Sequence, residues 1–322
     1  MLQKNKVIVF FKELITDTLK TVLLLFKIMI PVSICIKILQ ETGMISYIGD
    51  ALFPLMKCAG LPGEMGLVWG TGMITNLFGG ILAFISLAPS MHLTIAQVTV
   101  LSLMMLVAHT FPIELTVARK AGVRLLVMFL VRFGFGFLLG VLLNFIYSSF
   151  GMLQETVAMK LIPKASLHPT LLAWGLAELR NYGIIICIIF SLMFLIKLLK
   201  VIGVIDLITR GFAPVLRLLG IGKEVSTIAI VGLSLGVVYG GALIIHESET
   251  GKIDKRDIFY MMVLMGLCHS VIEDTILMMS LGADYTGVLI FRVILALLIT
   301  YLIVKITKRL PERFVNRFII RK

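Results

Sequence analysis

Displaced along itself by 160 residues, the chain matches itself without a gap. Ile36-Lys37-Ile38-Leu39 falls on Ile196-Lys197-Leu198-Leu199, Gly43 on Gly203, Pro54 on Pro214, Gly60 on Gly220 and Glu64 on Glu224. The same displacement brings Gly72 to Gly232, Gly80 to Gly240, His109 to His269, Gly122 to Gly282 and Arg132 to Arg292. Coincidences of Leu with Ile mean little in an apolar chain. Those of His, Glu, Arg, Gly and Pro mean more, because these residues are rare or special in lipid. A chain written twice in this way is expected to fold as two like halves.

The solvent for which it is written is a bilayer. Hydrophobic residues make up 59% of the 322 and charged residues only 15%, where soluble domains carry about 25%. Mean hydropathy is +1.05. Several stretches offer enough apolar residues to cross a hydrocarbon core of about 30 Å. The net charge of +12 sits largely beside these stretches, so it speaks for membrane topology and against a nucleic-acid partner. Cys35, Cys58, Cys187 and Cys268 form no C-x-x-C pair and read as small hydrophobes. No cleavable signal is apparent, and residues 1–20, with Lys4, Lys6, Lys12 and Lys20, read as an amphipathic, interfacial start.

Five organisational pieces follow: residues 1–20, a first unit at 21–150, a connecting segment at 151–180, a second unit at 181–306 and a basic tail at 307–322. In the first unit the connection Ala88–Thr94 has no Lys or Arg, whereas Arg119–Arg124 is basic. In the second unit the order reverses: Glu247–Asp257 holds Lys252, Lys255 and Arg256, and Leu281–Tyr285 holds none. Basic connections face the cytoplasm, so each unit must cross an odd number of times, and the Gly-rich stretch 64–88 must enter and leave on one face. The expected fold is an all-α polytopic membrane protein. It has two inverted-topology repeats, about six transmembrane helices (21–40, 95–118 with a break near Pro112, 122–147, 181–200, 257–280 and 285–306), two re-entrant helical hairpins and both termini in the cytoplasm. Residues 43–61 read as amphipathic and lying along the interface. Lys160 and Lys164 fall in the connection placed outside and strain this scheme. Lys27 lies within the first apolar stretch and is accommodated by snorkelling.

The stretch Pro54–Pro89, with Gly60-Leu61-Pro62, Gly70-Thr71-Gly72 and Gly79-Gly80, followed by a helix bearing His109 and Pro112, resembles the nucleoside recognition (Gate) family. The second copy resembles it through Pro214, Gly220, Gly232 and Gly240-Gly241. The resemblance implies an inverted-repeat membrane fold with hairpins and names no substrate. Related segments occur in concentrative nucleoside transporters and in ferrous iron permeases, and this chain has no fused GTPase like that of the latter.

Charged groups at membrane depth are functional candidates by default. Glu114, Arg132, Glu273, Asp274 and Arg292, with His109 and His269, all lie on the helices that follow each Gly-rich stretch. His269 and Glu273 are i and i+4, which on a continuous helix puts them on one face. Arg132 and Arg292 are placed to pair with Glu114 and with Glu273 or Asp274, or to meet an anionic solute. Buried ion pairs clamping the two repeats together account for the same residues equally simply. Asn76, Ser234 and Tyr239, with the hairpin glycines Gly72, Gly79, Gly80, Gly232, Gly240 and Gly241, mark the second candidate region. Helix ends there offer unpaired N–H groups to an anion, although small residues also simply permit close helix packing. Met261, Met262, Met265, Met278 and Met279 beside Cys268 and His269 admit a soft-metal reading, but Met is more often an adaptable packing residue.

The expected function is therefore transport of a small polar or anionic solute, nucleoside-like or lipid-linked, by alternating access at a midplane site in the cell inner membrane. The alternatives are a non-transporting structural or assembly subunit and, third, a divalent metal permease. A homo-oligomer or a membrane partner is compatible with each. No nucleophile–base pair, phosphate loop or H-E-x-x-H motif occurs, so neither a catalytic residue, a cofactor nor a resident metal is expected.

Overall fold

In the computed structural model, residues 2–158, 170–204, 207, 211, 214–215, 237–250 and 253–320 are described. Among them the secondary structure is helical, with two isolated β-bridges. Helix α1 runs Leu2–Glu41, α2 Met44–Cys58, α3 Glu64–Ile74, α4 Leu77–Leu87, α5 Ile95–Val107, α6 Phe111–Lys120 and α7 Leu125–Ser149. After the connection come α8 Leu171–Val201, α9 Val237–Thr250, α10 Lys255–Leu267, α11 Glu273–Ser280, α12 Arg292–Lys308 and α13 Glu312–Phe318. The boundaries follow local chemistry. Thr94 and Gln97 form a capping box at the start of α5, and Asn76, Thr170 and Asp254 each accept a backbone N–H at the start of α4, α8 and α10. Such caps satisfy donors that a helix start leaves orphaned, which matters most where water is absent.

Five segments are long and apolar enough to cross a membrane: Val9–Glu41, Ile95–Lys120, Leu125–Ser149, Leu171–Val201 and Thr286–Lys308. The sixth expected span, 257–280, is interrupted over Cys268–Ile272, and its two pieces, α10 and α11, are each too short to cross alone. The basic start and the first apolar stretch share the single helix α1, and α8 begins at Leu171, ten residues before the expected start. Burial separates the spans into two kinds. Of the apolar window in Ile95–Lys120, 83% is buried inside the protein, against 28% in α1 and α7 and 18% in α8. The interrupted segment is central. The others turn residues such as Leu126, Phe145, Leu172 and Leu179 outward, as lipid-facing helices must.

Helices α3 and α4 fold back on one another at Thr75–Asn76 to make the first expected hairpin. Its two arms touch where Gly80 meets Gly72; a β-carbon at Gly80 would lie 3.0 Å from the Gly72 Cα and 2.6 Å from the Met105 Cε. Of the second expected hairpin, the part bearing Gly232 and Ser234 lies outside the described residues.

Helices α1 and α8, which correspond at the 160-residue displacement, run in opposite directions. Along the α1–α8 contact Phe10 meets Phe194, Thr18 meets Met193 and Phe26 meets Tyr182, and Lys197 bridges to Asp17 at 3.0 Å and to Glu13 at 3.3 Å. The connections sort by charge onto two ends of the molecule. At one end Ser248 donates to the Ala121 carbonyl at 3.2 Å, and the Arg124 N–H donates to Ile319 at 2.9 Å. This gathers the Arg119–Arg124 connection, the end of α9 and the basic C-terminal segment. At the other end the Val157 N–H donates to Leu93 at 2.9 Å, and the Asp284 N–H donates to Thr99 Oγ1 at 2.8 Å. That second contact sets the Leu281–Tyr285 connection against the second turn of α5, the helix that follows Ala88–Thr94.

Candidate functional site

Between the two ends lie the interruptions of α5–α6 and α10–α11, and their geometry repeats at the 160-residue displacement. Thr110 (φ 52°) and Ser270 (φ 46°) both adopt the left-handed region, which few non-glycine residues enter. Pro112 lies in the first turn of α6, where a missing N–H costs nothing. Proline alone does not make the break, because Ile272 holds the matching place in the second half. The first hairpin docks on the first break, where the Thr110 N–H donates to the Gly72 carbonyl at 3.0 Å.

Breaking a helix at membrane depth orphans carbonyls at the C-terminus of its first piece. Two arginines cover them. Arg132 Nε donates to Val107 at 3.0 Å and to Gly266 at 3.2 Å. Arg292 Nε donates to Leu267 at 3.2 Å, and its Nη2 to Leu106 at 3.3 Å and to His269 at 2.9 Å. Each guanidinium therefore serves the break of its own half and that of the other, and a cation at a helix C-terminus also meets the dipole favourably. Arg292 directly follows a one-turn π segment, Thr286–Phe291, whereas Arg132 sits within the regular α7.

The acids sit at the opposite ends, in the first turns of α6 and α11. Glu114 Oε2 lies 2.5 Å from Arg132 Nη1, and its Oε1 lies 3.5 Å from His109 Nε2 and 3.6 Å from His269 Nε2. The two imidazoles face each other with ring centroids 5.1 Å apart. Their Nδ1 atoms are bound to the carbonyls of Met105 at 2.8 Å and Met265 at 2.7 Å, another pair related by the displacement. His109, Glu114, Arg132, His269, Asp274 and Arg292 are all buried. Arg132 Nη2, Arg292 Nη1 and Asp274 Oδ2 have no hydrogen-bond partner among the described residues.

Six of the expected residues thus converge, with two differences. Among the described residues Arg292 forms no ion pair with Glu273 or Asp274; its donors are drawn to the orphaned carbonyls instead. Nor do His269 and Glu273 share a helix face, because the chain leaves the helix between them. Glu273 is half-buried and in no ion pair among the described residues. Asn76 caps α4, accepting from the Gly79 N–H at 2.9 Å, and makes no hydrogen bond to the cluster among the described residues. Gly72, Gly79 and Gly80 serve the hairpin. Tyr239, Gly240 and Gly241 begin α9, and Gly241 faces Val117 of α6. What the sequence did not disclose is the set of backbone carbonyls at 106, 107, 266 and 267. They carry no side-chain signature, although Thr110 and Ser270 already fall on one another at the displacement.

The nucleoside recognition (Gate) family matches residues 183–284, within the second half. No solved structure matches. A relative from Bacillus subtilis (strain 168), the uncharacterized membrane protein YvoD, is 30% identical over 288 residues, which is 88% of this chain and 90% of that protein. This chain belongs to the same family of membrane proteins as YvoD, and its second half carries the nucleoside recognition segment.

Proposed function

We propose that the protein is a carrier, not an enzyme, that moves a small polar or anionic solute, nucleoside-like or lipid-linked, by alternating access. The single observation that supports this most is the convergence of two broken helices from oppositely directed halves on one buried polar cluster. Interrupted helices and inverted repeats with a site near the midplane are the architecture of secondary transporters. The unpartnered Arg132 Nη2 and Arg292 Nη1 are donors suited to an anionic or carbonyl-bearing solute. In this proposal both halves are Gate-like repeats, although the family match itself covers the second. The protein resides in the cell inner membrane, and the end carrying Arg119, Arg124, Arg256 and the C-terminal segment is cytoplasmic, by the positive-inside rule. Both termini are then cytoplasmic.

The test is uptake of labelled nucleosides and small organic anions into proteoliposomes. A carrier concentrates at least one probe, and Asp274→Asn abolishes that uptake while the variant remains monodisperse and inserted. One observation favours a second role, that of an assembly subunit: Arg132 and Glu114 form a buried ion pair, which has a purely structural use. Uptake of no probe, with stable co-purification of another membrane protein, would establish that role instead.

A further inference from the structure

The two histidines present an unresolved convergence of acceptors. A backbone carbonyl can only accept, so the bonds to Met105 and Met265 require that Nδ1 carry the proton in each neutral ring. Both Nε2 atoms then offer lone pairs to the interior of the cluster. There they face Glu114 Oε1, itself an acceptor, at 3.5 and 3.6 Å. Asp274 adds a buried carboxylate oxygen without a hydrogen-bond partner among the described residues. The ligand atoms of His109, His269 and Asp274 lie within 4.8 Å of one another. An Nδ1–H held by a carbonyl with Nε2 turned inward is the orientation that second-shell contacts impose on metal-binding histidine.

We propose that His109 Nε2, His269 Nε2 and the Asp274 carboxylate form a site for one divalent first-row transition-metal ion. Donor bonds at about 2.0–2.2 Å require the three groups to close by about 1 Å. His109 and His269 both lie in the non-helical breaks and not within a helix. Glu114 is engaged by Arg132, which leaves Asp274 as the available carboxylate. The two guanidiniums decide the class of ion. They oppose binding that is purely electrostatic, as for Mg²⁺ or Ca²⁺, whereas imidazole donors favour Co²⁺, Ni²⁺ or Zn²⁺. The site joins one ligand from the first half to two from the second, so an ion there would tie the halves together whether or not solute moves.

The test is equilibrium binding to the full chain, purified in detergent and stripped with a chelator, so that its outcome is independent of transport. Co²⁺ titration followed by its visible absorption should saturate at one ion per chain and persist in excess Mg²⁺. His269→Ala and Asp274→Asn should each weaken binding by about tenfold or more, with melting temperatures reported alongside. His269→Cys, which keeps a donor, should retain the ion and add a thiolate-to-Co²⁺ charge-transfer band. No saturable Co²⁺ absorption, or the same affinity in folded Asp274→Asn, would overturn the proposal.

Discussion

At the scale of single residues, Glu114 and Arg132 carry the clearest energetic consequence. Both are buried and separated by 2.5 Å, so removing one partner leaves an uncompensated charge where water does not reach. Breaking such a pair costs about 3–5 kcal/mol, whereas replacing both members with apolar residues of similar volume is often neutral. Arg132→Met should therefore lower the melting temperature of the purified protein sharply. Adding Glu114→Leu to it should recover much of the loss. If the double variant were as unstable as the sum of the two single variants, the pair would not be the unit described here. The sequence made these residues conspicuous because ionisable groups are rare at membrane depth. It left the partner of Arg292 open between an acid and an anionic solute and did not foresee the backbone carbonyls of Leu106, Leu267 and His269, which carry no side-chain signature.

The element that carries the architecture is the hairpin of α3 and α4. Its arms are held together where Gly80 lies against Gly72, with Met105 of α5 closing the contact. A β-carbon at Gly80 would come within 3.0 Å of backbone, which no flexible side chain can relieve. Gly80→Val should separate the arms and loosen the docking of the hairpin on Thr110. Faster proteolysis or amide exchange over 64–87 would record it, and exchange unchanged from the parent protein would show that the approach does not matter. The hairpin was legible beforehand from its glycines and from the absence of charge in Ala88–Thr94. The interruption at Cys268–Ile272 was not, because that half has no proline at its break. Only the matching histidine at 269 and serine at 270 hinted at it.

On the scale of the whole molecule, two halves written in the same order are placed in opposite directions. The duplication, the antiparallel α1–α8 contact and the sorting of the basic connections and of those lacking Lys and Arg to opposite ends all express that one arrangement. Its consequence is that the two breaks, remote in sequence, share one buried cluster. Sequence alone carried this far because charge in the connections reports sidedness and a fixed displacement reports duplication. It could not give the contacts across the centre, which depend on where each helix stops. The most direct measurement is labelling of single cysteines with a membrane-impermeant maleimide in intact cells, in a background lacking the four native cysteines. Lys120→Cys and Lys255→Cys, both exposed, should react only after permeabilisation, and Met91→Cys and Tyr285→Cys should react without it. Labelling of Lys120→Cys and Lys255→Cys from opposite sides would contradict the inverted arrangement.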